Sequence, residues 1–248
     1  MSRLAPRLVS VLLAGPALDG FSLESPTAHI KVFLPAPGQQ APALPELGPD
    51  GLVWPEPAAR PIIRTYTPRR YDPAAGILEV QFVLHGTGAA SAWAEQAAVG
   101  DQIAIAGPGG RFRLDPQARH WWIGGDESAL PAIATLLEAL PPSAAAEVHL
   151  EAAGPADEID LASPAQLRLS WHHRRAPEAY GVELADALRD AALPAGARVW
   201  VACEAAAMRG LRRQALSDRG LPPDAVVTRG YWRRGTSDYP DHDYGEDT

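Results

Sequence analysis

The stretch Arg64-Thr-Tyr-Thr-Pro-Arg69 carries more chemical information than any other part of this 248-residue chain. The planar guanidinium of Arg64 can donate two parallel hydrogen bonds to a pyrophosphate. Tyr66 lies two positions later, so on an extended strand its ring points to the same side, where it can stack on an isoalloxazine. The hydroxyl of Thr67 is then near enough to bond the flavin N5 atom. The stretch predicts a flavin site, although the same residue types also occur together on ordinary exposed strands.

A second stretch, Phe82-Val-Leu-His-Gly-Thr-Gly-Ala-Ala-Ser-Ala-Trp93, supports this interpretation. The glycine loop leads into a predicted helix over residues 91–98, whose first N–H groups and dipole favour an anion. Ser91 is predicted both to cap this helix and to bind phosphate. The alternative is a strand–turn–helix unit with a capping serine and no ligand. Before the loop, alternating apolar residues predict a strand that buries one face, made of Leu78, Val80, Phe82 and Leu84.

The composition narrows the class of protein. With 46% hydrophobic residues, the chain can bury the core of one large domain or two smaller ones. The formal net charge of -8 argues against nucleic acid or an anionic membrane as a partner. The single cysteine, Cys203, excludes an internal disulfide and is predicted to be a small buried residue, as in a cytoplasmic protein. No stretch approaches the roughly 18 apolar residues that a membrane span needs, and Leu8–Ala14 is interpreted as a strand rather than as part of a signal peptide.

The two halves of the chain differ in their pattern of predicted strands and helices, which predicts two domains. Residues 1–115 alternate short extended runs with turns, which indicates a small antiparallel barrel, and the proline-rich residues 35–61 are expected to cross its surface. The Asp115-Pro116 step is interpreted as a hinge. Residues 116–248 alternate predicted strands with predicted helices, the pattern of a parallel sheet with crossover helices. The predicted strands are 30–34, 78–84, 103–106, 121–124, 148–152, 167–172, 198–203 and 226–231, and the predicted helices after the hinge are 131–140, 182–192 and 205–219.

Taken together, the motifs resemble those of the siderophore-interacting protein family, FAD-dependent ferric-siderophore reductases related to ferredoxin–NADP reductases. Family members usually have one more strand before the segment that matches residues 8–16, so the sequence leaves open whether the barrel lacks its first strand. The matching motifs occur in family order and cover most of the chain: His29-Ile-Lys-Val-Phe-Leu-Pro35, Arg64-Thr-Tyr-Thr-Pro-Arg69, Phe82-Val-Leu-His-Gly86 with Ala90-Ser-Ala-Trp93, Gly107-Pro-Gly-Gly110, Gly125-Asp-Glu-Ser-Ala-Leu-Pro-Ala-Ile133 and Gly230-Tyr-Trp-Arg-Arg-Gly235.

The resemblance implies that FAD binds to residues 1–115 and that NADPH or NADH binds to residues 116–248. Ligands of parallel sheets bind beyond the carboxyl ends of the strands, where the loops 124–131 and 203–208 are predicted to lie. Neither loop has the full G-x-G-x-x-G fingerprint, and the alternative for both is a tight strand-to-helix connection. Trp232 is implied to cover the flavin until nicotinamide arrives, unless it simply seals the last strand. The predicted cofactor-binding residues are Arg64, Tyr66, Thr67, Arg69, His85, Gly86, Ala90, Ser91, Asp126, Ser128, Glu204 and Trp232.

The implied substrate is an anionic ferric siderophore, received by a basic cluster beside the flavin. For the 2′-phosphate of NADPH, Arg174 and Arg175 are candidates because they follow a predicted strand. The residues His172-His173 and Asp241-His-Asp243 lack the spacing of a metal site, and no side chain is expected to act as nucleophile or general base. The predicted members of the basic cluster are Lys31, Arg111, Arg113, Arg233 and Arg234.

Two other functions remain open at this point. The protein could be a flavin-containing electron-transfer partner that ferredoxin reduces, with its second domain as the docking surface. It could also be a siderophore-binding module without turnover. A flavin spectrum in the purified protein would argue against the second alternative, and reduction by nicotinamide or by ferredoxin separates the first from a nicotinamide-dependent reductase.

Overall fold

The structure, a computed structural model, describes residues 1–54, 56, 60–86, 88–110, 112–176, 179–240 and 242–245. It divides into two compact units, one of residues 1–24 and 28–111 and the other of residues 25–27 and 112–248. The predicted order, an antiparallel N-terminal domain followed by a parallel-sheet domain, is confirmed. Among the described residues, no helix is long and apolar enough to cross a membrane.

The first unit places two antiparallel sheets around one apolar core. The four-stranded sheet has the order β1 (Ser2–Ala5), β2 (Leu8–Ala14), β8 (Ile77–Val83) and β7 (Pro68–Asp72). The three-stranded sheet has the order β6 (Ile62–Tyr66), β3 (His29–Leu34) and β9 (Ala104–Gly109). The predicted apolar face of β8 is confirmed, because Leu78, Val80 and Phe82 are fully buried in this core.

One open question about the first unit is answered, and two of its features were not predicted. A strand does precede the segment 8–16, because β1 pairs with β2. The proline-rich excursion contains a hairpin of β4 (Glu46–Gly48) and β5 (Gly51–Val53). Helix α1 (Ala89–Gln96) begins before Ser91 and has Gly88 as its N-cap, so the predicted capping by Ser91 is wrong. The Ser91 hydroxyl accepts the His85 backbone N–H instead.

The second unit is a five-stranded parallel sheet with the order 3-2-1-4-5. Its strands are β10 (His120–Asp126), β11 (Ala145–Ala152), β12 (Gln166–His173), β13 (Arg198–Glu204) and β14 (Val226–Trp232). The helices are α2 (Leu130–Ala139), α3 (Val182–Asp190) and α4 (Ala205–Arg213), and α4 continues as a π-helix over Gln214–Asp218. Pro131 lies in the first turn of α2, as predicted.

The register of this sheet brings polar residues to its carboxyl edge. β10 and β13 lie inside the sheet and are buried along almost their whole length, so a polar residue there needs partners at the strand end. Asp126 lies opposite Glu151, and Glu204 lies opposite Trp232. Strands from distant parts of the sequence thereby place three carboxyl groups and an indole at one edge.

Candidate functional site

Arg64 and Tyr66 lie on the inward face of β6. Arg64 pairs with Val32 and Tyr66 with Ile30 of β3, and both partners are fully buried, so the two predicted side chains share one face. The Tyr66 ring packs against Phe82 with 4.3 Å between the ring centroids. Burial raises the pKa of the Tyr66 hydroxyl, which therefore stays protonated and can donate a hydrogen bond.

Thr67 and Arg69 follow at the junction of β6 and β7. Thr67 is buried and Arg69 is half-buried. A register shift between Pro68 and Arg70 leaves Arg69 out of the regular pairing with β8. The predicted residues of this motif thus lie where the chain passes from the three-stranded to the four-stranded sheet of the first unit.

The loop before α1 is shaped by His85 and its glycines. The His85 ring lies against Gly88, where an added Cβ would come within 2.4 Å of the ring atom Cε1. Gly86 has a φ of 80°, a conformation that glycine adopts without strain. Ser91 is only 2% exposed, and its Oγ lies 3.0 Å from the His85 backbone nitrogen that donates to it. Ala90, also predicted at this site, is buried in the apolar core of the first unit.

The start of α1 offers donors for an anion. The first hydrogen bond of the helix runs from Ala92 N–H to Gly88 C=O, so the N–H groups of residues 89–91 have no acceptor within the helix. No side chain of the described residues caps this end. α1 packs against β8 and against β6, the strand that carries Arg64. The Arg64 Nη1 donates to the Ile63 backbone C=O at 2.7 Å, and the guanidinium carries further N–H donors that can meet an anion. This donor set fits the pyrophosphate of FAD.

The predicted basic cluster is divided between the two units. Lys31 lies on β3 opposite Thr65, on the face away from Arg64 and Tyr66, and its Nζ is 2.8 Å from Thr65 Oγ1. Arg111 lies outside the described residues. The other members belong to the second unit and are exposed: Arg113 before β10, and Arg233 and Arg234 after β14.

At the carboxyl edge of the second unit, Asp126 accepts four hydrogen bonds. Its Oδ1 accepts from the backbone N–H and the hydroxyl of Ser128, at 2.9 and 2.5 Å. Its Oδ2 accepts from the Glu204 backbone N–H at 2.9 Å and from the Trp232 indole Nε1–H at 2.8 Å. Burial, reinforced by the neighbouring Glu127, raises the pKa of Asp126 to about 6. Asp126 therefore ties together the ends of β10, β13 and β14.

Glu204, predicted to bind the cofactor, caps a helix. Its Oε2 accepts the backbone N–H groups of Ala206 and Ala207, so it caps α4. Its Oε1 lies 3.3 Å from the Arg234 backbone nitrogen. Since capping occupies one carboxylate oxygen, Glu204 holds the loop in place rather than presenting a free carboxylate.

Sequence reasoning missed a buried ion pair at this edge. The Arg174 guanidinium donates to both carboxylate oxygens of Glu127, and its side chain is only 5% exposed. Arg174 is therefore not a site for a 2′-phosphate, a correction to its candidacy, whereas the Arg175 side chain is 83% exposed. The Glu151 carboxylate lies 3.9 Å from the Arg174 guanidinium. Glu151 stands within the apolar run of β11, and a carboxylate in such a run could have indicated that a buried cationic partner lies nearby.

Trp232 is held on two sides. Besides its bond to Asp126, its ring meets Tyr180 edge to face, with 4.7 Å between centroids and 83° between planes. The chain beyond it also docks on the second unit: the Asp243 carboxylate contacts the Arg209 guanidinium at 2.9 Å and accepts from the Tyr239 hydroxyl at 2.5 Å. Residue 241 of the tail lies outside the described residues.

The remaining candidates have structural roles. His172 and His173 end β12 as predicted, and His172 Nε2 lies 2.9 Å from His149 Nδ1. Cys203 is buried, which confirms its predicted role. Among the described residues, no three His, Cys, Asp or Glu side chains come together in a way that could hold a metal ion.

Comparison with known proteins covers both units. The siderophore-interacting FAD-binding domain matches residues 1–112, and the siderophore-interacting protein model matches residues 118–235. The chain is 33% identical to the ferric vibriobactin reductase ViuB of Vibrio cholerae over 240 residues, covering 95% of this chain and 88% of that protein. It is 36% identical over 140 residues to the NADPH-dependent ferric-chelate reductase of Escherichia coli, covering 56% of this chain and 54% of that protein.

A solved structure agrees with these matches. The crystal structure of a siderophore utilization protein from T. fusca superposes with a TM-score of 0.85 at 35% identity, covering 97% of this chain and 92% of that chain. Two family models matched in order, and relatives similar over nearly the whole length, lead to one conclusion: the chain belongs to the siderophore-interacting protein family.

Proposed function

We propose that this protein is an FAD-dependent ferric-siderophore reductase that takes electrons from a nicotinamide donor and releases the bound iron as Fe(II). The observation that carries the proposal is the placement of Arg64 and Tyr66 on one face of β6, a strand that contacts α1, whose start no described side chain caps. The Vibrio cholerae and Escherichia coli relatives are both named as ferric reductases, which supports the same activity.

In this proposal the protein binds and orients rather than supplying a nucleophile or base. Arg64 and the first N–H groups of α1 would hold the pyrophosphate of FAD, Tyr66 would pack against its isoalloxazine, and Thr67 would hydrogen-bond to its N5 atom. The chemistry that bound FAD would supply is a hydride acceptor for the nicotinamide and a source of single electrons for ferric iron. Reduction lowers the charge of the iron, so hard anionic oxygen ligands hold it less tightly.

The proposed donor is NADPH, bound at the carboxyl edge of the parallel sheet. Of the two arginines that follow β12, Arg174 is occupied by Glu127, whereas Arg175 is exposed with its Nε 2.8 Å from Glu183. The Glu183 side chain is only 18% exposed, but the Arg175 end of the pair lies in solvent. Solvent screening keeps such a pair weak, so Arg175 can exchange Glu183 for a phosphate. The buried single cysteine suits a reducing compartment, and we propose the cytoplasm.

The flavin site is tested by replacing Arg64. Arg64→Ala removes a charge-assisted contact worth roughly 1.5–3 kcal/mol, so FAD should bind about ten- to a hundredfold more weakly. The measurement is the Kd for FAD by fluorescence quenching of the apoprotein, with Arg70→Ala, an exposed arginine of β7, as the matched control. A wild type that is colourless and does not bind added FAD would refute the assignment and favour a non-catalytic binding module.

The substrate site is tested through Lys31, the only lysine of the chain. A cationic site should attract a trianionic ferric catecholate, and added salt should weaken that attraction. Lys31→Ala should raise the KM for the chelate and flatten its salt dependence, while Lys31→Arg keeps both and flavin reduction by NADPH stays at the wild-type rate. If KM and salt dependence are unchanged in Lys31→Ala, Lys31 is outside the substrate site.

A further inference from the structure

Five residues of the second unit close a ring of contacts at the carboxyl edge of its sheet. Asp126 accepts the indole N–H of Trp232, and Trp232 meets Tyr180 edge to face. The Arg174 Cζ lies 4.5 Å from the centroid of the Tyr180 ring, and the Arg174 guanidinium pairs with Glu127, the chain neighbour of Asp126. This edge ring connects the ends of β10, β12 and β14 with the segment before α3.

The polar members of the edge ring are held by one another. Asp126 and Glu127 are buried, and Arg174 is nearly so. A buried charge that loses its partner is strongly destabilising, so neither Arg174 nor Glu127 can turn away alone. Cation–π and edge-to-face contacts are attractive in the geometries observed here. The ion pair therefore fixes the Tyr180 ring, and the Tyr180 ring in turn packs against one side of Trp232.

Trp232 needs this support because of its place in the chain. It is the last residue of β14, and the chain turns immediately afterwards, with Thr236 N–H bonded to Arg233 C=O. Moving the indole away would also remove one of the four donors of the buried Asp126 carboxylate. The contacts thus describe a fixed side chain, in contrast to a cover that swings aside.

We propose that Arg174 and Tyr180 are positioning residues that hold the Trp232 indole as a preformed wall of the nicotinamide site. This inference rests on the proposed function, in which the donor binds at this edge. When the indole is already ordered, binding of the nicotinamide does not have to offset the entropy cost of fixing that side chain. Weakening the edge ring should therefore act mainly on nicotinamide binding.

The test compares variants of the FAD-loaded full chain. Tyr180→Leu removes the ring, whereas Tyr180→Phe keeps the ring and loses only the hydroxyl. Arg174→Met alone would leave Glu127 buried without its partner, so it is combined with Glu127→Gln. Arg168→Met, on the exposed part of the same strand β12, is the matched control.

Two readouts are measured. The first is hydrogen–deuterium exchange of the Trp232 indole N–H by NMR, assigned through Trp232→Phe, and the second is KM and kcat for NADPH. Tyr180→Leu and the double variant should raise both the indole exchange rate and KM by about two- to tenfold. Tyr180→Phe and Arg168→Met should match the wild type, and all variants should retain FAD.

Three results would overturn the proposal. Wild-type indole exchange in both Tyr180→Leu and the double variant would mean that the edge ring does not hold Trp232. Faster exchange with unchanged KM would place this wall outside the donor site. If NADPH and NADH fail to reduce the wild type, the proposed function fails first and the nicotinamide role of the wall fails with it, while the exchange data still show whether Tyr180 and Arg174 order the indole.

Discussion

Glu151 makes the stability of the second unit depend on pH in a direction that can be stated in advance. Its carboxyl group is fully buried, and Oε2 accepts the Gly181 backbone N–H at 2.7 Å. Oε1 has no hydrogen-bond partner among the described residues, and Arg174 Nη1 lies 3.9 Å away. Burial raises the pKa of Glu151 from 4.5 to about 7, because the charged form loses its hydration without full compensation.

The magnitude follows from proton linkage. Because the folded pKa is raised, the contribution of Glu151 to stability is complete below its unfolded pKa of 4.5 and is lost as the pH rises through about 7. Integrating this difference from pH 5 to pH 8 gives a loss of about 2.5 kcal/mol in the free energy of unfolding. The pKa of Asp126 is also raised, to about 6, and makes stability depend on pH in the same direction. The effect of Glu151 is therefore the difference in the free energy of unfolding between the wild type and Glu151→Gln.

The assay is urea unfolding between pH 5 and pH 8, followed by tryptophan fluorescence. Five of the seven tryptophans belong to the second unit, so this signal mainly reports its unfolding. Glu151→Gln has no ionisable group at this position. Between pH 5 and pH 8 its free energy of unfolding should therefore fall by about 2.5 kcal/mol less than that of the wild type.

A neutral change on the adjacent strand, Ser170→Ala, serves as the control and should follow the wild-type pH dependence. Parallel curves for the wild type and Glu151→Gln would mean that the pKa of Glu151 is not raised on folding.

Two further predictions concern the second unit. Asp243→Ala removes the acceptor of the Arg209 and Tyr239 contacts and should lower the free energy of unfolding by roughly 1–3 kcal/mol with unchanged FAD affinity; wild-type stability in urea would show that the tail does not dock as described. Gly181→Ala should cost more than about 1 kcal/mol, because Gly181 has a φ of 77° and an added Cβ would lie 2.4 Å from the Ala207 Cβ. A thermal midpoint equal to that of the wild type would contradict this.

Much of the fold follows from local sequence patterns. The alternation of Leu78, Val80 and Phe82 predicted the buried face of β8, and the apolar runs of the second half predicted all five strands of the parallel sheet. β1 gave no such signal, since three of its four residues are exposed. The hairpin of β4 and β5 was not predicted, because it lies in a proline-rich segment. With only three paired residues on each strand, the strands are too short to show an alternation of apolar and polar residues.

The candidate site also has a part that the sequence predicts and a part that it does not. The flavin motif is local, because the residues from Arg64 to Arg69 are consecutive and their relative directions follow from strand geometry. The pairing of Glu127 with Arg174 joins residues 47 positions apart, and only the sheet register brings them together. For the same reason the sequence placed Arg174 among the candidates for the 2′-phosphate, and Tyr180 gave no sign of its contacts.

Electron transfer from a nicotinamide through bound FAD to siderophore iron can be followed by anaerobic stopped-flow absorbance. NADPH should bleach the flavin band of the purified protein. Adding a ferric catecholate siderophore should then restore the band, with two Fe(II) trapped by a colorimetric chelator per flavin, because a two-electron carrier serves one-electron acceptors. Reduced ferredoxin is run in parallel as the alternative donor. A flavin that only ferredoxin bleaches would contradict the proposed donor, and a reduced flavin that the ferric siderophore does not reoxidise would contradict the proposed reductase activity itself.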